Sequence, residues 1–282
     1  MIYTNPILTP QPQYPTYPPY HRGLYVEDYF IDRFKKELPN LNRDYIGISW
    51  TTLYCDGKSQ HIQSFLDSIP RDKKYFTVCQ HDDAPQHSLP PNTLVFSLSQ
   101  SHRNPKNLNP IPIPATCSSI PVPEEILSKD IFASFVGSTT HQIRIDLYNL
   151  CRTQPNYYFS VQQWNPVIPQ SKLNELTNIM IRSKFALCPR GYGNTSFRMY
   201  EAMQLGAVPV YISDDFFLPW SDELNWNEFC VIVDSKNLKN LPSILNSIPE
   251  EQINKMANKA KQVYSDYFTL DATYRNILKR IK

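Results

Sequence analysis

The second half of the chain alternates short apolar runs with amphipathic stretches, the pattern of a parallel sheet covered by helices. The apolar runs predict five strands, at Asp130–Val136, Tyr157–Val161, Lys184–Pro189, Ala207–Ser213 and Phe229–Val233. The amphipathic stretches predict helices that end at Cys151, span Ser171–Arg182 and Phe197–Leu205, and then close the chain at Leu238–Ser247, Glu250–Tyr267 and Asp271–Ile281. We therefore expect one α/β domain here.

The first half carries a smaller version of the same alternation. Its strands are predicted at Tyr45–Trp50, Tyr75–Cys79 and Thr93–Leu98, and its helices at Gly23–Leu38 and Ser59–Ile69. Residues 1–20 are rich in proline and lack charge, which predicts an extended arm of polyproline character. Asn104–Pro123 is rich in Pro, Asn and Ser and is the natural link between two domains.

Charge and cysteine content exclude several classes of protein. The 282 residues carry a net charge of +2, which does not fit bulk electrostatic binding of nucleic acid. The chain contains no apolar run of membrane-spanning length and no N-terminal leader pattern, so we expect a soluble, cytoplasmic protein or one that lacks a membrane anchor. The cysteines have no metal-ligand spacing and are expected to be reduced: Cys55, Cys79, Cys117, Cys151, Cys188 and Cys230.

A glycine loop between the strand Lys184–Pro189 and the helix Phe197–Leu205 predicts an anion site. The loop consists of Arg190, Gly191, Tyr192, Gly193, Asn194 and Thr195, and Ser196 is a natural N-cap. Glycines let backbone N–H groups approach a ligand, and a helix N-terminus attracts anions. Arg190 and Arg198 add donors for phosphate oxygens, and Glu201 shares a helix face with Arg198. This set fits a nucleotide, with arginines on the diphosphate and the carboxylate on the ribose.

Spacing alone leaves a second interpretation open. Many α/β proteins bind nothing at such a loop, and Arg198 and Glu201 could be an ordinary surface pair on the helix. On this ground the two interpretations are evenly balanced.

The order of residues goes further than the spacing. The run from Ser183 to Asp215, with R-G-x-G-x-T-S at its centre and Leu218-Pro219 after it, closely resembles the C-terminal half of the exostosin-like glycosyltransferases. That family includes heparan-sulfate polymerases and plant cell-wall transferases. Phe135-Val136-Gly137 followed by Arg144 is similar to the family element whose arginine faces the donor diphosphate. The likeness covers roughly Phe132–Phe268, with Trp220 and Asn225 replacing the usual Phe and Asp at positions that we interpret as packing sites.

The resemblance implies an α/β fold of GT-B type, in which two Rossmann-like domains face each other across a cleft. The expected division is an arm (1–20), an acceptor-side domain (21–115), a linker (116–129), a nucleotide-sugar domain (130–268) and a final helix (269–282) that packs back on the first domain. It also implies inverting, metal-independent transfer from a UDP-sugar to a glycan hydroxyl, with no cofactor. The donor site would comprise Arg144, Arg190, Gly191, Tyr192, Gly193, Asn194, Thr195, Ser196, Arg198 and Glu201.

The catalytic base should come from the first domain, because a single displacement requires a base on the acceptor side. Gln80-His81-Asp82-Asp83 follows a predicted strand and resembles the family's H-D-x-G segment, although Ala84 stands where Gly would follow. Asp82 is therefore the candidate base, with His81 as a base or acceptor ligand. Asp44 and Asp56 compete with them.

Two other functions remain open: a non-catalytic glycan-binding or complex-stabilising subunit, and a sugar-nucleotide epimerase. The intact set of arginines and glutamate argues against a non-catalytic subunit. The small number of carboxylates in the second domain argues against an epimerase. The sugar is not determined and could be xylose, galactose or glucuronate. A glucuronate donor would need a further cation, for which Arg182 and Lys184 are near in sequence, so neutral sugars are slightly favoured. The acceptor and the oligomeric state also stay open.

Overall fold

The computed structural model describes residues 1–10, 24–83, 85–104, 108–116, 119–121, 128–165 and 168–282. Residues 11–20 of the predicted arm, Ala84, Cys117 and parts of the predicted linker lie outside these ranges. Within them, ten strands form two five-stranded sheets in which every paired strand is parallel.

The first sheet has the order β1-β2-β3-β4-β5, so the chain adds strands in one direction. Its strands are β1 (Ile2–Tyr3), β2 (Asp44–Ile46), β3 (Tyr75–Cys79), β4 (Thr93–Ser97) and β5 (Ile111–Pro112). The longest pairing joins β3 and β4, with Tyr75 opposite Thr93 and Cys79 opposite Ser97. Helices α1 (Val26–Glu37), α2 (Trp50–Cys55) and α3 (Ile62–Ser68) complete this half.

Three predictions for this half were wrong in detail. The start of the predicted arm is an edge strand, since Ile2 and Tyr3 pair with Tyr45 and Ile46. Trp50 begins α2 instead of ending a strand, and its buried indole N–H donates to Thr77 Oγ1 at 2.9 Å. Asn104–Pro123, predicted from its composition as a link, contributes β5, which lies inside the range 21–115 given for the first domain; Pro112 is tolerated there because edge strands do not need every N–H.

The second sheet has the order β10-β9-β8-β6-β7, so the chain reverses direction after its first two strands. Its strands are β6 (Ile131–Ser138), β7 (Tyr157–Gln162), β8 (Ser183–Pro189), β9 (Val208–Ser213) and β10 (Val231–Asp234). Helices α4 (Gln142–Cys151), α5 (Gln170–Arg182) and α6 (Phe197–Leu205) connect the strands, followed by α7 (Leu241–Asn246), α8 (Glu250–Val263) and α9 (Leu270–Arg280). Ligands in such sheets bind where the strand order reverses, here between β6 and β8.

Two of the closing helices differ from the prediction. The segment predicted as one helix from Leu238 begins with a 3-10 helix, Ser235–Asn240, before α7. The long helix predicted to reach Tyr267 stops at Val263 and continues as a π-helical turn, Tyr264–Phe268.

The last helix, α9, lies against α1 of the first sheet. The Tyr274 ring is 4.7 Å from the Phe30 ring, and Tyr274 Oη donates to Glu37 at 2.9 Å. Arg33 also forms an ion pair with Asp271. The final helix therefore joins the two halves of the chain. The two parallel sheets with their helices confirm the α/β class and match the two-sheet layout that the resemblance implies.

Five cysteines within the described residues carry free thiols: Cys55, Cys79, Cys151, Cys188 and Cys230. Across the ranges that the structure covers, no helix has both the length and the apolar character needed to cross a membrane. The cytoplasmic location stays a prediction.

Candidate active site

The carboxyl ends of the two sheets meet in direct contact. The loop after β8 reaches the loop after β4, where Asn194 Oδ1 accepts hydrogen bonds from Ser99 Oγ at 3.0 Å and from the Gln100 amide at 3.1 Å. The backbone N–H of Asn194 in turn donates to Ser99 Oγ at 3.0 Å. Asn194 is fully buried by these contacts. The edge where ligands bind in parallel sheets is therefore shared by both halves of the chain.

The glycine loop leads into α6 with the backbone that the sequence predicts. Ser196 is extended at the N-cap position, and Gly206 ends the helix in the left-handed region at φ 71°. The Ser196 side chain does not cap the helix, however, and its buried hydroxyl makes no hydrogen bond. No side chain caps the backbone N–H groups in the first turn of α6, and the Ser196 hydroxyl beside them also lacks a hydrogen-bond partner.

The two glycines of the loop face different neighbours. A Cβ added to Gly191 would lie 3.2 Å from Arg144 Nη2, on the side of the second sheet. A Cβ on Gly193 would overlap Ser99 Oγ and Asp82 Oδ1, which belong to the first sheet's loops. Neither glycine has a positive φ. Glycine is therefore required at 193 for close approach of the two halves, not for backbone conformation.

The three predicted arginines gather at the carboxyl ends of β6 and β8. Arg144 donates to the carbonyls of Arg190 and Ser138, each at 2.9 Å, and to that of Pro189 at 3.2 Å. Arg198 donates through Nε to the Val136 carbonyl at 2.8 Å. These contacts fix both guanidinium groups beneath the glycine loop.

Arg190 lies at the outer side of the same loop. Its Nη1 donates to Asp214 Oδ1 at 2.5 Å, and its Nη2 donates to the Tyr192 carbonyl at 3.1 Å. The guanidinium beside Asp214 helps to hold the pKa of that carboxyl below its usual value, although partial burial acts in the opposite direction. Arg190 therefore links the loop to the end of β9.

Arg198 and Glu201 form an ion pair inside the protein. Glu201 is 2% exposed and Arg198 is 7% exposed, so they are not the surface pair considered from spacing. Buried charges of this kind require partners, and Arg198 supplies one for the Glu201 carboxylate. The ribose role of Glu201 stays a prediction.

Asp82 lies opposite the donor loop, against Gly193 and Ser99. Burial raises the pKa of Asp82 to about 6; the charge of Asp83 adds to this, while Ser99 and Arg190 oppose it. A carboxylic acid with such a pKa is ionised at neutral pH and can still take up a proton readily. The position and the chemistry both suit a base.

The residues beside Asp82 hold its loop in place. Asp83 accepts hydrogen bonds from Ser101 Oγ at 2.5 Å and from Tyr192 Oη at 3.0 Å, the latter across the two halves. His81 Nδ1 accepts from the Asp83 amide at 3.1 Å, so the proton of the neutral ring sits on the other nitrogen. Burial lowers the pKa of His81 and keeps the ring neutral.

The other acidic candidates lie elsewhere. Asp44 is at the start of β2, the end of the sheet opposite to Asp82, where it pairs with Lys73 at 3.1 Å. Asp56 is exposed and pairs with Lys58 at 3.0 Å.

The two cations considered for a glucuronate donor lie at the end of β8 that is far from the glycine loop. Arg182 and Lys184 flank the start of β8, where they pair with Asp130 and Glu250. The glycine loop follows the other end of that strand.

Sequence reasoning missed Glu27 and Asp28, which are buried in the first turn of α1. Glu27 Oε1 accepts a hydrogen bond from the backbone N–H of Thr51 at 2.7 Å, and Oε2 accepts one from the backbone N–H of Gln80 at 3.1 Å. Burial, with a contribution from Asp28, raises the pKa of Glu27 to about 8. The burial of Glu27 could have been predicted from the sequence, because its spacing puts it on the same helix face as Phe30 and Phe34.

Metal-binding clusters were sought in the same ranges. Among the described residues, no three His, Cys, Asp or Glu side chains come together in a way that could hold a metal ion.

Comparison with known proteins identifies the family. A family model described as the Exostosin GT47 domain matches residues 76–248. The chain belongs to this family. The matched region of the GT47 domain runs from β3 across Asp82 and the glycine loop to α7, so it includes both sides of the site.

The relatives are named as glycosyltransferases or exostosins. A probable glycosyltransferase of Arabidopsis thaliana is 42% identical over 137 residues, which cover 49% of this chain and 28% of that protein. An exostosin-1 homolog of Caenorhabditis elegans is 33% identical over 112 residues, covering 38% and 29%. A probable beta-1,4-xylosyltransferase of Arabidopsis thaliana is 45% identical over 74 residues, covering 26% and 18%. The matches thus span less than a third of each relative.

Solved structures show a weaker likeness. The crystal structure of TarM has a TM-score of 0.44 and 8% identity, and the match covers 74% of this chain and 55% of that one.

The Gly193 contact gives a first prediction. Gly193→Ala should disturb the hydrogen bonds across the two halves, because its Cβ cannot coexist with Ser99 and Asp82 as they stand. Amide exchange measured by NMR should become faster at Asn194 and Gln100. Gly57→Ala is the control, since its Cβ would meet nothing within 4 Å and only the φ of 66° is strained. Unchanged exchange at both amides in Gly193→Ala would contradict the assigned contact.

Proposed function

We propose that this protein is a glycosyltransferase that moves a sugar from a UDP-sugar to a hydroxyl group of a glycan, with inversion and without a metal ion. One observation carries the proposal: the glycine loop of the GT47 domain lies directly against Asp82 of the opposite half. A donor held by the loop and an acceptor held near Asp82 would meet at this contact.

The donor side is suited to a diphosphate. The N-terminus of α6 and the partnerless Ser196 hydroxyl offer donors at one point, and Arg190 and Arg198 lie beside it. Positive groups already fixed by other contacts stabilise the charge that develops on a leaving diphosphate without reorganising. Arg144 supports the same loop from below, and the ribose would pair with Glu201.

The acceptor side provides the proton transfer. The acceptor oxygen attacks the anomeric carbon, the bond between that carbon and the diphosphate oxygen breaks, and the hydroxyl proton passes to the Asp82 carboxylate. UDP leaves with the bonding electrons, and its charge is stabilised by the arginines. A single displacement of this kind inverts the anomeric centre.

The metal-free mechanism is supported by what the nearby carboxylates contact. Asp83 accepts from Ser101 and Tyr192, Asp214 from Arg190, and Asp215 from Asn194 at 3.0 Å. These carboxylates are committed to protein donors, while the arginines can neutralise a diphosphate.

A neutral donor sugar such as xylose or galactose is favoured over glucuronate. Arg182 and Lys184 were the cations considered for a sugar carboxylate, and both pair with acidic residues at the far end of β8. Relatives of 45–46% identity over 74 residues are named both as probable beta-1,4-xylosyltransferase and as probable glucuronosyltransferase, so the preference rests on the positions of Arg182 and Lys184 alone.

Asp82→Asn should lower turnover by about 10²–10⁴-fold, the usual contribution of a general base. The assay is release of UDP from a panel of UDP-sugars with glycan acceptors. In the wild type, turnover should rise with pH through about 6, because the base acts as the carboxylate and its pKa is raised to about 6. Asp44→Asn, at the opposite end of the sheet, is the control and should keep wild-type turnover. Near-wild-type turnover by Asp82→Asn would place the base elsewhere, and binding of UDP-sugars without any release would favour a non-catalytic subunit.

Chelation tests the metal-free mechanism. Full turnover is expected in excess EDTA, because the arginines and the end of α6 neutralise the diphosphate. Loss of turnover that only Mg²⁺ or Mn²⁺ restores would overturn this part of the proposal.

A further inference from the structure

A buried carboxyl group lies behind the loop that carries Asp82. Glu27 is completely buried, although it stands in the first turn of a helix, where acidic residues are usually in contact with water. Its two carboxyl oxygens accept hydrogen bonds from two different parts of the chain: Thr51 in α2 and Gln80 at the end of β3.

We propose that Glu27 is a positioning residue for Asp82, because it fixes the end of β3 from which the Asp82 loop departs. The proposal rests on the proposed function, in which Asp82 is the base. Glu27 itself is too deeply buried to touch a substrate.

The link between α1 and Gln80 runs in both directions. Glu27 accepts the Gln80 amide, and Gln80 Oε1 accepts the Val26 amide at the start of α1 at 3.0 Å. The side chain of Gln80 thus binds the α1 N-terminus, while the α1 carboxylate binds the Gln80 backbone. Asp82 is two residues further along the chain, so a shift of Gln80 would be passed to it.

The other oxygen of Glu27, Oε1, fixes the position of α2 relative to Gln80. By accepting the Thr51 amide, Glu27 ties the beginning of α2 to the end of β3. Only a carboxyl group of this length offers two acceptors to two backbone amides at once. A glutamine at 27 would keep one acceptor and present an N–H group to the other amide.

The cost of burying this group argues that it has a specific use. Burial, and then the charge of Asp28, raises the pKa of Glu27, while the hydrogen bonds from Thr51 act in the opposite direction. A buried polar group is retained at such a cost when its hydrogen bonds order the structure around it. Here the ordered segment is the one that carries Asp82.

Asp28 provides a matched comparison on the same helix turn. It is also buried, and its Oδ1 accepts a hydrogen bond from Ser49 Oγ at 2.5 Å, at the N-cap of α2. Asp28→Asn removes a buried charge from the same helix turn, and we expect the hydrogen bonds of Glu27 to Thr51 and Gln80 to remain.

The experiment compares Glu27→Gln with Asp28→Asn in the full chain. Deuterium exchange should become faster in the segment 80–83 for Glu27→Gln and stay at the wild-type rate for Asp28→Asn. UDP release by Glu27→Gln should fall by about 10–100-fold, the loss expected from a small misplacement of a catalytic group. The acid limb of its pH profile should move, because the surroundings of Asp82 change. UDP affinity should be unchanged, since the donor lies on the other half.

Unchanged exchange in segment 80–83 of a folded Glu27→Gln protein would overturn the proposal. Equal losses in Asp28→Asn would also overturn it, because they would indicate general damage to the core. If Glu27→Gln fails to fold, Gln80→Met removes the bond to the Val26 amide and should show the same pattern in milder form. A wild type that releases no UDP would refute the proposed function, whereas the exchange comparison would still decide the role of Glu27.

Discussion

The contact between the glycine loop and the first sheet's loops is the constraint on which the candidate site depends. Gly193 allows Asp82 and Ser99 to approach the loop backbone, and Asn194 fixes that approach with hydrogen bonds to Ser99 and Gln100. A side chain at 193 would not fit. The carboxyl ends of the two sheets can therefore approach this closely only because residue 193 has no Cβ.

Buried and partly buried titratable groups are concentrated at the same ends of the sheets. The Arg198–Glu201 pair lies beneath the loop, Asp82 lies against it, and Glu27 lies behind Asp82. Each of these groups would cost several kcal/mol if it were buried without a partner. Each has protein donors or an opposite charge beside it. Apolar residues would pack at these positions at least as well. A chemical role therefore explains these polar groups better than a contribution to stability does.

Local signals predicted some elements in each half of the chain with their bounds. The helix Phe197–Leu205 has the predicted bounds, because Ser196 and Gly206 mark its ends through backbone conformation alone. The strand Tyr75–Cys79 also matches, as a wholly buried strand must be a continuous apolar run. The approach of Asp82 to Gly193 could be expected only from the family resemblance, since nothing in local spacing joins residues so far apart in the chain.

The errors arose where tertiary contacts decide the outcome. Ile2–Tyr3 became a strand because β2 offered an unpaired edge, which the arm's own sequence does not reveal. Trp50 joined a helix because its indole reaches Thr77 on a neighbouring strand. Glu27 was missed, since its hydrogen-bond partners Thr51 and Gln80 come from other parts of the chain. In each case the deciding partner is distant in sequence.

The central claim is that the buried end of α6 binds the nucleotide of the donor. Calorimetric titration of UDP into the wild type and into Glu201→Gln tests it most directly, with Glu175→Gln on α5 as the matched control. The account predicts that UDP binds the wild type and the control equally, and that Glu201→Gln weakens binding by about 1.5–3 kcal/mol, the range for a hydrogen bond to a charged group. Equal affinity for UDP in all three folded proteins, or no binding to the wild type, would contradict it.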